Sequence, residues 1–159
     1  MIAVIQRVRQ ASVTVESQCI AAIRQGLLVL LGVAKGDTDS DVAFMVEKIP
    51  RLRMFSDARG HMNHSLQDIN GELLLVSQFT LLAKTNKGRR PSFECAAPPK
   101  EARLRYQEVL EKLQALGLTV HSGHFGEAMI VSLENEGPVT LILDSQAKEL
   151  VKKIKTPVY

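Results

Sequence analysis

Apolar and polar positions alternate over residues 2–9 (IAVIQRVR) and again over 12–16, a period of two that predicts two half-buried strands or one bent hairpin. Residues 27–33 are apolar apart from Gly32, the pattern of a central strand buried on both faces. The period then changes. Gly36-Asp37-Thr38-Asp39-Ser40 supplies capping groups, and Val42, Met45, Val46 and Ile49 follow at helical spacing up to Pro50, which ends or kinks the helix. A second helix is expected between Pro98-Pro99 and Gly117, with Leu104, Val109, Leu110, Leu113 and Leu116 as its apolar stripe. Residues 71–82, 118–125, 128–133 and 139–143 read as further strands, the last two joined by the turn-rich connector 134–138 (ENEGP). The sum is one α/β domain over residues 1–159: strand-rich mixed sheets with two helices packed on one side, in three layers with two packed sheets.

Composition adds limits. A chain of 159 residues, 45% hydrophobic and 23% charged, can bury a core without staples, which excludes disorder as the main character. Cys19 and Cys95 lie far apart in no C-x-x-C pattern, which points to reduced thiols in a cytosolic compartment. No apolar run approaches the roughly 20 residues of a membrane span, and no targeting segment is read at the start. The net charge of +3 argues neither for nor against nucleic acid, so the placement of charge matters more than its sum.

In GELLLVSQFTLL, residues 71–82, Leu73 and Leu75 face one side and Leu74 and Val76 the other, so this strand is internal. Carried on as a strand, it puts Ser77 and Phe79 on one face and Gln78 and Thr80 on the other, so hydroxyls and an amide gather where a buried strand ends. In 134–138, Gly137 brings permissive backbone angles and Pro138 lacks a donor, leaving nearby carbonyls free to face a ligand; spacing alone favours an ordinary trans turn. Basic residues gather in KTNKGRRPSF, where Lys84, Lys87, Arg89 and Arg90 form a loop able to meet phosphate, although spacing alone favours a solvated surface loop. Lys148, Lys152, Lys153 and Lys155 form a weaker run that reads as a solvated face. The pairs His61/His64 and His121/His124 have H-x-x-H spacing but lie in no convincing helix, so no metal site is expected. Phosphate-loop, dinucleotide-fingerprint and serine-elbow motifs are absent.

SQFTL at 77–81 and NEGPVT at 135–140, with KGRRPSF between them, resemble the two signatures of the D-aminoacyl-tRNA deacylases, also called D-tyrosyl-tRNA deacylases, and match each fixed position. The likeness runs from MIAVIQRV to the lysine-rich tail, with Pro50 the one unexpected feature. The resemblance implies a homodimeric, cofactor-free enzyme that hydrolyses the ester between a D-amino acid and the terminal adenosine of tRNA. It implies a cis Gly137-Pro138 pair inserted into the other subunit's site, so that active sites are shared. Arg7 is then the residue bracing that loop. Ser77, Gln78, Phe79 and Thr80 surround the ester, with Phe79 flanking the adenosine, and Lys87, Arg89 and Arg90 are the expected tRNA contacts.

Two main-chain carbonyls holding the substrate amine would force an L side chain into the wall they form, while a D side chain points outward. Glycine has nothing to collide with, so glycyl-tRNA is an expected second substrate. Attack by water, positioned by the substrate's 2'-hydroxyl and with backbone amides near Phe79 and Thr80 stabilising the oxyanion, is preferred to attack by Thr80, which has no evident base. The rivals are a non-catalytic RNA or small-ligand binding module and a metal-assisted hydrolase built on the histidines.

Overall fold

A computed structural model describes residues 1–86 and 88–147. Lys87 and the lysines at 148, 152, 153 and 155 lie outside the described residues. The first two stretches of alternation are one strand, β1 (Ile2–Val15), not two. After a turn through Glu16 and Ser17 the chain returns as β2 (Gln18–Ile23) and β3 (Gly26–Gly32) along the same strand. Ala11 pairs with Ile23 and Val8 with Gly26, so up to Val13 both returning strands share one register with β1 on either side of residues 24–25, and a one-residue shift follows between Val13 and Thr14.

The first helix, α1 (Asp39–Lys48), starts at Thr38, whose N–H and hydroxyl both donate to the Asp41 carboxylate at 2.8 and 2.9 Å. Pro50 neither kinks nor disrupts it. It opens a separate 3₁₀ turn, Ile49–Arg51, where a missing N–H costs nothing. A short hairpin, β4 (Phe55–Ser56) with β5 (Met62–His64), follows. Then come β6 (Glu72–Ser77), α2 (Pro99–Ala115), β7 (Thr119–Ser122) and β8 (Ile130–Asp144). β8 is continuous where two strands and a connector were expected, because pairing with β1 holds on both sides of a bulge: Glu134 and Asn135 pair with Gln10 and Val8, Thr140 pairs with Gln6, and residues 136–139 bulge between them. Strand β7 is shorter than the stretch 118–125 expected for it.

β6 runs parallel to β3, β7 parallel to β6, and β8 antiparallel to β1. Among the described residues these strands, with β2, form one six-stranded sheet beside the small β4–β5 hairpin, not two packed sheets, and the expected third layer is the six-stranded sheet bent onto itself. On one face Ala3, Ile5, Leu27, Val29, Leu31, Leu73 and Leu75 pack under both helices. On the other, Leu28, Leu74 and Val76 meet Val8, Ala11, Val13, Ala21 and Ile23 from the far half of the β1–β2 hairpin. Both faces of β3 and β6 are therefore covered by apolar side chains, as their unbroken hydrophobic runs demand. The stripe of α2 is narrower than its leucines suggested: Ala102, Tyr106, Val109, Leu110 and Leu113 are buried, whereas Leu104 and Leu116 are exposed.

Candidate active site

β6 ends at Ser77, opposite Leu31, and the Gln78 N–H makes the last sheet-like bond, to the Leu31 carbonyl at 2.8 Å. The chain then leaves the sheet. Residues Phe79–Leu82 form a 3₁₀ turn, so Phe79 and Thr80 are successive positions around a helix and do not alternate across a strand. The turn sits against Gly32, where a β-carbon would lie 2.9 Å from the Gln78 carbonyl oxygen. Gly32 is thus small for a reason of approach.

The Gln78 side-chain amide donates to the Thr80 hydroxyl, and among the described residues this is the hydroxyl's only hydrogen bond. An amide cannot take its proton, so the geometry supplies Thr80 with no general base. The N–H groups of Phe79 and Thr80 open the turn, where no intrahelical acceptor exists, and they make no hydrogen bond among the described residues. Phe79 is 56% exposed and meets Phe93 edge-to-face, with ring centroids 5.0 Å apart. The loop beyond is pinched shut by two backbone bonds between Lys84 and Ser92, 2.8 and 3.0 Å, and Lys84 pairs with Glu94 at 2.6 Å. Arg89 and Arg90 ride on this loop, exposed.

The second motif has its own architecture. The Gly137-Pro138 peptide is cis, against the expectation from spacing alone. Arg7, only 9% exposed, donates from Nε to the Glu136 carbonyl at 3.0 Å and from Nη1 to the Met54 carbonyl at 2.6 Å. It thus holds two main-chain oxygens, one of them beside the Gly-Pro pair, and its charge is also paired with the Glu136 carboxylate, 3.9 Å from Nε. Asn135 was not singled out from sequence, yet it spans the bulge. Its Nδ2 donates to the carbonyls of Arg7 (3.2 Å) and Val139 (3.0 Å), and its Oδ1 accepts from Val139 N–H at 3.1 Å. The local signal was available, since Asn is the side chain that best imitates a backbone turn.

The two motifs are not brought together within one chain. Ser77 pairs with Leu31, Leu31 with Ala3 and Ala3 with Leu143, whereas Gly137 and Pro138 lie opposite Arg7. At ~3.3 Å per residue and ~4.8 Å per strand, that is about 13 Å along the strands and about 14 Å across them.

Beside the strand ends, between the first half of α2 and residues 122–127, runs a groove of about 1070 Å³. The Arg103 guanidinium lies over the Phe125 ring at 5.1 Å, and Tyr106 donates to the Leu75 carbonyl at 2.8 Å. Burial pushes the Tyr106 hydroxyl's pKa well up, so it is a neutral donor. His121 lies on β7 and His124 pairs with Glu127 at 3.0 Å. Among the described residues no three His, Cys, Asp or Glu side chains are grouped to hold a metal. Nor is any described helix long and apolar enough to cross a membrane.

A family model for D-Tyr-tRNA(Tyr) deacylase matches residues 4–144. A D-aminoacyl-tRNA deacylase of Desulfitobacterium hafniense (strain DSM 10664 / DCB-2) is 52% identical over 146 residues, covering 92% of this chain and 98% of that one. One from Myxococcus xanthus (strain DK1622) is 54% identical over 145 residues, covering 91% and 95%. The solved structure of a c-Myc DNA unwinding element binding protein superposes with a TM-score of 0.85 at 43% identity, covering 91% of this chain and 98% of the other. A probable eukaryotic D-amino acid tRNA deacylase shares the fold, with a TM-score of 0.79 at 18% identity over 90% and 98%. The chain therefore belongs to the D-Tyr-tRNA(Tyr) deacylase family and is a hydrolase.

Proposed function

We propose that the protein removes D-amino acids, and glycine, from tRNA while sparing L-aminoacyl-tRNA, and that it does so in the cytoplasm as a homodimer with shared active sites. The observation that carries the shared site is the separation of the two motifs within one chain. A loop displaced by strand spacings in both directions can serve a Phe79 turn most simply if a second copy supplies it. β8 favours such a contact: it pairs only with β1 among the described residues and exposes Ile130, Leu133, Leu141 and Ile142, the last to 75%.

In this reading the Gly137-Pro138 loop, held by Arg7 and Asn135, presents main-chain carbonyls to the amine of the substrate in the neighbouring site. An L side chain collides with that wall, a D side chain points away, and glycine passes. The Phe79 and Thr80 N–H groups stabilise the oxyanion. Water is the nucleophile, assisted by the substrate's 2'-hydroxyl, because the ester is already activated and Thr80 has no base. Ser77, Gln78 and Thr80 hold the geometry, Phe79 with Phe93 flanks the terminal adenosine, and Arg89 and Arg90 on the pinched loop meet phosphate.

The test is a time course of free D-tyrosine released from D-Tyr-tRNA. Steady release that survives exhaustive chelation supports the reading. Protection of the ester overturns it in favour of a nucleic-acid binding module, the role named for the DNA unwinding element relative.

A further inference from the structure

Residues 51–64 carry Arg51, Arg53 and Arg59, all exposed, and among the described residues none of the three forms an ion pair. Other arginines are spent: Arg24 on Glu72, Arg105 on Asp39 and Glu108. The one carboxylate of the segment, Asp57, is also spent. It accepts from Asn63 Nδ2, Arg59 N–H and His61 N–H, bonds that hold its pKa below the usual carboxylate value and fix the turn displaying Arg59. Arg53 adds to the bonds from Ser65 that keep Asp68 ionised, without pairing with it. Arg51 and Arg53 flank half-buried Leu52, and the next two residues, Met54 and Phe55, are core, so the segment is anchored while its guanidinium groups are free.

The anchor lies at the functional loop. The Arg7 guanidinium that holds the Glu136 carbonyl, next to Gly137, also holds the Met54 carbonyl. The arm and the Gly-Pro loop are thus fastened to one buried cation.

We propose that this arm is a second phosphate-contacting surface for the RNA of the substrate, in which Arg51, Arg53 and Arg59 neutralise backbone charge beside the Gly-Pro loop. The inference rests on the reading above. A loop lining the neighbouring copy's pocket brings its own arm to the rim of that pocket, where the only polyanion is the nucleic acid carrying the ester.

The experiment compares the wild type with the triple variant Arg51→Gln/Arg53→Gln/Arg59→Gln in two assays. Binding of deacylated tRNA is titrated between 50 and 200 mM KCl. Each lost phosphate contact flattens the log–log slope by about 0.7–0.9, so the wild type should lose about 20- to 40-fold more affinity across that range than the variant. Hydrolysis of 3'-D-tyrosyl-adenosine, which has no phosphate, should be unchanged. The matching Lys triple should restore the slope, and Arg24→Gln should leave it as it was. A Gln triple with the wild-type slope overturns the proposal, as does an equal loss on the phosphate-free ester, which would mark a structural role. A wild type that cleaves neither substrate refutes the functional reading instead, and the binding slope still decides the arm.

Discussion

Replacing Gly137 with alanine probes the proposed loop with one carbon atom. Its φ of +136° is a conformation that side chains rarely adopt, and the new β-carbon would lie 2.6 Å from Val139 Cγ2, 2.8 Å from the Val139 nitrogen and 3.1 Å from Arg7 Nη2. None of these neighbours is free to yield: the Val139 N–H is bonded to Asn135, Val139 packs on the core, and Arg7 is held at two carbonyls. Backbone strain of roughly 1–3 kcal/mol and overpacking of roughly 1–3 kcal/mol sum to about 2–6 kcal/mol. Kept in the folded state, this lowers the melting temperature by about 4–24 °C for a chain of this size. Gly137 and Pro138 are exposed, so part of the strain is expected to escape by an outward shift of the loop. Such a shift spares the melting temperature but moves the carbonyls and erodes the preference for D- over L-esters. Calorimetry and paired deacylation rates read the two channels. Melting within about 2 °C of wild type together with an unchanged D/L ratio would refute the reasoning, since about 2–6 kcal/mol must appear in one or the other.

Asn135→Ala removes three hydrogen bonds at a half-buried site, a loss of about 2–4 kcal/mol divided between stability and kcat/KM. Asn135→Asp retains the acceptor for Val139 N–H but sets a carboxylate oxygen against the Arg7 and Val139 carbonyls, so at pH 7 it should melt no higher than the alanine variant and hydrolyse D-Tyr-tRNA no faster. Thr80→Val should retain turnover at a reduced rate, with no acyl adduct seen by mass spectrometry in the wild type; a trapped ester on Thr80 would establish it as the nucleophile. For Asp41, burial raises the pKa, but bonds from Thr38 and Ser145 outweigh it and hold it below 3.8. Its stabilising effect is therefore complete above that value and lost as pH falls through the lower folded-state pKa. Asp41→Asn should melt lower than wild type at pH 7, and the gap should close once acid protonates the native carboxylate.

What the sequence disclosed follows from how local each signal is. The doubly buried runs at 27–33 and 73–76 are found at the sheet centre because side-chain alternation is fixed by the backbone itself. The helix start was legible as the cluster 36–40 because capping groups lie within a turn of the helix they cap, although the pairing of Thr38 with Asp41 was not singled out. The continuity of β1 and β8 was not, because Gly137 and Pro138 look like turn residues until a neighbouring strand pairs across them. The sequence carried this strand on to Leu82, whereas it ends at Ser77, and the 3₁₀ turn after it packs against Gly32, over forty residues earlier. Arg7 and Met54 meet only in three dimensions. So the motifs were visible in sequence, while the fastening of the Gly-Pro loop and its distance from the Phe79 turn were not.

The most direct test of the central claim is a set of initial deacylation rates on one tRNA charged in turn with D-tyrosine, glycine and L-tyrosine. The account predicts that the first two esters are cleaved and the third is spared by at least about a hundredfold, equivalent to ~2.7 kcal/mol of collision with the carbonyl wall. Equal rates for the two tyrosine enantiomers would contradict it.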